Sequence, residues 1–157
     1  MVKRISLLIV PVVLLALILQ GCAETRKPAY FVGSTWEVKG NTFCVENATW
    51  IDDCPKENGV VIPAEQGWVF LKLSCKMILH AGWELAGCSV GVLNDNREPI
   101  TPYVEPIPLD EAKQQFTLLF RVSQAQVTEL NQYVMTVRLR NGSECAEEYF
   151  YLYDIVS

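Results

Sequence analysis

Thirteen residues in the middle of the chain narrow its fold more than any others. Between Gly67 and Leu79, the apolar side chains Val69, Leu71, Leu73, Cys75, Met77 and Leu79 recur at every second position. Successive side chains of a strand point to opposite sheet faces, so this spacing buries one whole face of a long strand. Lys72, Ser74 and Lys76 occupy the other face beside Trp68 and Phe70. One face is therefore core and the other partly wet, the pattern of an antiparallel sheet.

The rest of the chain repeats this logic in shorter runs. Thr35-Trp36-Glu37-Val38 alternates, Lys39-Gly40-Asn41 turns, and Thr42 to Ile51 continues with β-branched and aromatic residues, which predicts two strands joined by a tight turn. Asp52 to Gly59 is turn-rich, and Val60 to Pro63 reads as a brief edge piece. After a reversal at His80-Ala81-Gly82, Trp83 to Leu93 returns as a strand. Pro99, Pro102, Pro106 and Pro108 exclude a central strand and predict an extended or edge path. Phe116 to Val122 is strand-like, and Ser123 to Leu130 reads as one helical turn or a loop. Tyr133 to Arg140 and Cys145 to Ile155 flank Asn141-Gly142, a strong hairpin signal. Seven or eight strands with no long helix predict an all-β, two-sheet antiparallel sandwich.

The amino-terminal stretch has a different character. Lys3 and Arg4 precede an apolar run from Ile5 to Leu19, interrupted only by Ser6 and Pro11. Such a run falls short of the about 20 apolar residues a spanning helix needs, and it has the charge and length of a secretion signal. Leu19-Gln20-Gly21-Cys22 closes it. Here the chain resembles the bacterial lipoprotein precursors, whose lipobox runs aliphatic, variable, small, cysteine; Gln20 is the less usual element. The resemblance covers residues 1–22. It implies that residues 1–21 are a helical signal peptide that is removed, and that the Cys22 thiol carries a diacylglyceryl thioether. Two or three acyl chains give stable attachment where one does not. Ala23 rather than Asp after the cysteine implies an outer-membrane address if the host has two membranes.

The expected organisation is a signal at 1–21, a lipidated terminus and polar tether at 22–33, and one domain at 34–157. Without the signal, 136 residues remain, enough for one domain with a real core. The 13 basic residues fall to 11 against 18 acidic ones, a net charge of −7 with His80 neutral. That sign disfavours nucleic acid, whose binding depends on basic groups releasing counterions. Gly67 to Leu73, Val90 to Asp95 and Leu118 to Ser123 are similar in rhythm to bacterial immunoglobulin-like domains of unknown function on lipid-anchored surface proteins. That resemblance implies an immunoglobulin-like sandwich and carries no catalytic residues.

Five cysteines follow Cys22, and export permits disulfides. No C-x-x-C spacing suggests a redox motif or a zinc knuckle. Cys75 and Cys88 flank the turn near Gly82 on apolar faces, so they are one candidate pair. Cys44 with Cys54 is the second, and Cys145 is left unpaired or intermolecular. The alternative is that several are small buried hydrophobes kept reduced.

Chemistry is sparse. A triad would have to use His80, a turn histidine. Asp52-Asp53 and Asn94-Asp95-Asn96 lack EF-hand spacing and read as turns. No phosphate loop or dinucleotide fingerprint occurs. The expectation is a non-enzyme with no cofactor and no metal. Trp68 and Phe70 on one strand, and Tyr149, Tyr151 and Tyr153 on the last, are the candidate recognition faces. The expected role is binding or scaffolding at the cell envelope, with a membrane held through the anchor and an envelope protein or surface ligand as partner. An assembly or sensory accessory to another membrane protein, and an enzyme with an unrecognised site, remain as alternatives.

Overall fold

The computed structural model describes residues 30–55, 61–63, 65–110 and 114–153. Cys22 and the expected signal peptide lie outside them, as do the side chains of Cys54 and of 61–63. Eleven strands occur among the described residues. One sheet holds five: β2 (Thr35–Val38), β3 (Asn41–Ile51), β6 (Trp68–Ile78), β9 (Gln115–Ser123) and β8 (Ile107–Asp110), in that spatial order. The other holds four: β1 (Tyr30–Phe31), β11 (Glu144–Tyr151), β10 (Tyr133–Asn141) and β7 (Glu84–Val92). A separate hairpin of β4 (Asp53–Pro55) and β5 (Val61–Pro63) projects between β3 and β6.

This order is that of an immunoglobulin-like sandwich. Taken along the chain, β3, β6, β7, β8, β9, β10 and β11 fill the A to G places: A-B-E-D in one sheet and C-F-G in the other. All pairings are antiparallel except β1 with β11, where Tyr30 and Phe31 run parallel to Phe150 and Tyr151. The folded part therefore begins by Tyr30, inside the stretch expected to be tether.

The alternation seen in sequence is what fills the space between the sheets. Leu71, Leu73 and Cys75 of β6 meet Leu118, Phe120 and Val122 of β9, and Met135, Val137 and Leu139 of β10 face them from the other sheet, all fully buried. A bulge at Glu46 in β3 and another near Ala86 in β7 each insert an unpaired residue. The second lets Leu85 and Cys88 both face the core.

Tyr133 ties the connection between β9 and β10. Its ring is buried at the start of β10 against Trp50 at 5.4 Å, and its hydroxyl donates to the Gln126 carbonyl at 2.7 Å. That is the tyrosine corner of the fold, in which a disulfide cysteine normally follows two positions later. Met135 stands there instead. The intervening residues form two single turns of 3-10 helix, Gln124–Gln126 and Leu130–Gln132, where one helical turn or a loop was expected.

One strand placement departs from expectation. β7 does not return beside β6 as a hairpin partner; the turn at His80 to Trp83 carries it into the opposite sheet, where it pairs with β10. The reversal needs Gly82 at φ +84°, and a Cβ there would press on the Asn141 side chain at 3.2 Å. Buried Asn41 braces the same end, accepting the His80 backbone N–H at 2.8 Å and donating to the Val38 carbonyl at 3.0 Å.

Candidate functional site

The cysteines fall in four different settings. Cys44, Cys75, Cys88 and Cys145 are all free thiols, which corrects the expected Cys75–Cys88 disulfide. That pairing was expected on a hairpin of neighbouring strands, whereas β6 and β7 lie in opposite sheets and the two thiols stand unbonded. Burial pushes the Cys75 thiol well up, and it pushes Cys88 up from 9.0 to about 11. Both behave as small hydrophobes. Cys44 is half-buried on the outer face of β3, raised by burial against the opposing pull of a Thr35 hydrogen bond. Its expected partner Cys54 has no described side chain. Cys145 is exposed on β11.

His80 is exposed and engages Asn41 only through its backbone. In the turn after β7, Asp95 accepts the Arg97 backbone N–H at 2.9 Å and its Nε at 2.7 Å, which holds the Asp95 carboxyl below its ordinary value. Asn94 takes φ +60°, as turn chemistry at Asn94-Asp95-Asn96 requires. Among the described residues no three His, Cys, Asp or Glu side chains group to hold a metal ion, and no helix is long and apolar enough to cross a membrane.

The aromatic residues divide between two outer faces. Tyr149, Tyr151 and Tyr153 do share one side of the four-stranded sheet. Phe31 joins them, stacked on Tyr151 at 5.3 Å and edge-on to Tyr153 at 5.6 Å, while the Tyr149 hydroxyl donates to Glu147 at 2.8 Å. All are half-buried.

The outer face of the five-stranded sheet is unlike the expected open stripe. Phe70 is only 1% exposed: with Leu119 it forms a second apolar cluster, packed against Ile51, Val104 and Ile107. Its placement as a recognition residue is therefore corrected. The cover comes from the proline-rich segment after β7. Ile100 bridges to Val90 at the edge of one sheet, and the Tyr103 backbone N–H then donates to the Leu119 carbonyl at 2.7 Å at the edge of the other. Tyr103 is thereby laid 5.4 Å from the Phe70 ring. Trp68 stays 37% exposed and Tyr103 42% exposed.

Arg121 lies between these two rings, its guanidinium carbon 4.4 Å from the Trp68 centroid and 5.6 Å from that of Tyr103. Its Nη2 donates to Glu65 in the turn before β6. Beside it is an open cleft of about 510 Å³, walled by Glu98, Pro99, Thr101 and Pro102. A second cleft, of about 450 Å³, runs between β7 and residues 101–106 and exposes the Cys88 side of the seam. Sequence reasoning missed Arg121, Tyr103 and Glu65. The available signal was a lone cation at an outward position within the strand-like run Phe116 to Val122.

Comparison with protein-family profiles, with curated proteins and with solved structures finds no match for this chain.

Proposed function

We propose that this protein is a lipid-anchored component of a bacterial cell envelope, whose immunoglobulin-like sandwich serves as a non-catalytic binding or scaffolding module. The observation that carries the reading is Leu19-Gln20-Gly21-Cys22 at the end of a short apolar run behind Lys3 and Arg4. In this reading, residues 1–21 are removed, acylated Cys22 holds the domain outside the cytosol, and the outer membrane is the address where there are two membranes.

The geometry agrees with a short leash. Eight residue steps separate Cys22 from Tyr30, a reach of about 30 Å at full extension. Tyr30 and Phe31 pair with Phe150 and Tyr151, the last two residues of β11, so the described chain begins at the end of that strand away from the tight turn at Asn141-Gly142.

A second reading, an assembly or sensory accessory docking on another membrane protein, is favoured by the exposed Trp68 and Tyr103 around Arg121. Both readings share the anchor, which metabolic labelling tests. Labelled palmitate is expected to enter the wild-type protein and not Cys22→Ala; equal labelling of the two removes the anchor.

A further inference from the structure

The cluster around Arg121 has the composition that dominates protein interfaces: tryptophan, tyrosine and arginine are the residue types enriched at binding hot spots. Its geometry is fixed from three directions. Trp68 and Arg121 are diagonal neighbours on paired strands, since Phe70 stands opposite Arg121 and Trp68 opposite Ser123. Tyr103 is held by its own backbone bond to β9. The arginine side chain is 23% exposed, less than either ring that brackets it. A guanidinium over aromatic rings keeps its N–H donors for hydrogen bonding, in the fork that matches a carboxylate.

A carboxylate is already seated there. Glu65 reaches Arg121 from a turn closed by the Trp68 backbone N–H on the Glu65 carbonyl at 2.9 Å, with Gly67 at φ +86°. The Glu65 side chain is 75% exposed and engages one nitrogen of a group with five N–H donors. A partner held through so exposed a carboxylate is held weakly and is readily displaced. Glu98, on the cleft wall, opposes a second negative charge alongside the first. The site thus suits a single carboxylate, not a polyanion.

We propose that Arg121, between Trp68 and Tyr103, anchors a partner polypeptide by a single carboxylate, and that Glu65 occupies the position when the partner is absent. The inference rests on the reading of this domain as a binding module and names the class of its partner; it does not depend on the lipid anchor. The carboxylate is either an Asp or Glu side chain or a free C-terminus.

Selection from random dodecapeptide libraries against the full-length protein in detergent micelles tests this, with one library amidated at the C-terminus and one free. The wild type is expected to enrich peptides with one acidic position from the first library, or with a free C-terminus from the second, and the productive arm identifies the source. Arg121→Gln is expected to weaken the selected peptide at least tenfold and Arg121→Lys by less, while Glu65→Gln tightens it several-fold. Circular dichroism melts of each variant confirm folding. Absence of enrichment, enrichment without a carboxylate preference, or undiminished binding by folded Arg121→Gln overturns the proposal. Palmitate labelling of the same protein would be untouched by any of these results.

Discussion

Two apolar layers hold this molecule together, and they are made differently. The inner layer, between the sheets, is built from residues that alternate along strands: Leu71, Leu73, Leu118, Phe120, Met135, Val137 and Leu139 are each fully buried by a partner sheet. The outer layer has two fully buried members, Phe70 and Leu119, and is closed by an irregular segment carrying Tyr103 and Val104 together with Ile107 at the start of β8. Strand pairing enforces the first, because every inward side chain is placed by the ladder that places its neighbours. The second depends on where one proline-rich connection comes to rest. A residue can be as dry as any in the core and still be covered by a much less cooperative lid.

That difference has its largest expected consequence for two phenylalanines of equal size. Phe120→Ala removes a ring enclosed by both sheets and is expected to cost about 3–5 kcal/mol. Phe70→Ala removes one covered on its outer side by half-exposed neighbours, where collapse of Tyr103 fills part of the space, and about 2–3 kcal/mol is expected. Urea unfolding of both variants measures the contrast. Equal losses would show that the outer layer is as constrained as the inner one.

How much of this could be read from the chain follows the same division. The β6 core face, the hairpin turn at Asn141-Gly142 and the two-sheet class were all legible, because alternation and turn chemistry are local. Phe70 was not: alternation places it on the wet side, and nothing local shows that Tyr103, 33 positions away, will cover it. The prolines excluded a central strand, and Pro108 does lie in edge strand β8, but their composition carries no information about which sheet they cross. Cys75 and Cys88 were misjudged for a related reason. Thirteen positions and a Gly82 turn look alike whether the second strand pairs beside the first or crosses to the other sheet. Tyr133 carried a readable signal, a tyrosine opening the strand before a hairpin, but Met135 in place of the cysteine obscured it.

The seam between the two layers should respond to alkali. Cys88 faces the inner core from β7 and lines the cleft beneath residues 101–106. Its thiol ionises near 9.0 when unfolded but only at about 11 in the fold, because burial penalises the thiolate. A folded-state pKa raised in this way contributes fully below pH 9, and the contribution fades as pH rises through 11. That rise corresponds to at most about 2–3 kcal/mol. Buried Cys75 and Tyr133 are raised in the same direction and add to the loss. Thermal melting between pH 8 and 11 is expected to fall for the wild type and to fall less steeply for Cys88→Ala, after allowing for that variant's own lower starting point. Parallel slopes would mean that the segment over Cys88 opens widely enough to hydrate the thiol, making the lid looser still.

The smallest expected effect concerns a single hydroxyl. The connection between β9 and β10 crosses from sheet to sheet much as the proline-rich segment does, yet it is pinned by the 2.7 Å bond from Tyr133 to the Gln126 carbonyl. Tyr133→Phe keeps the ring against Trp50 and deletes only the donor, leaving a carbonyl near the corner without it; about 1–2 kcal/mol is expected. If connections are held by packing alone, as the outer layer suggests, the variant should unfold at the wild-type urea concentration. If the bond matters, amide exchange across 124–132 should quicken before that of β10, because the corner opens locally once its tie is cut, whereas the inner strands exchange only through global unfolding.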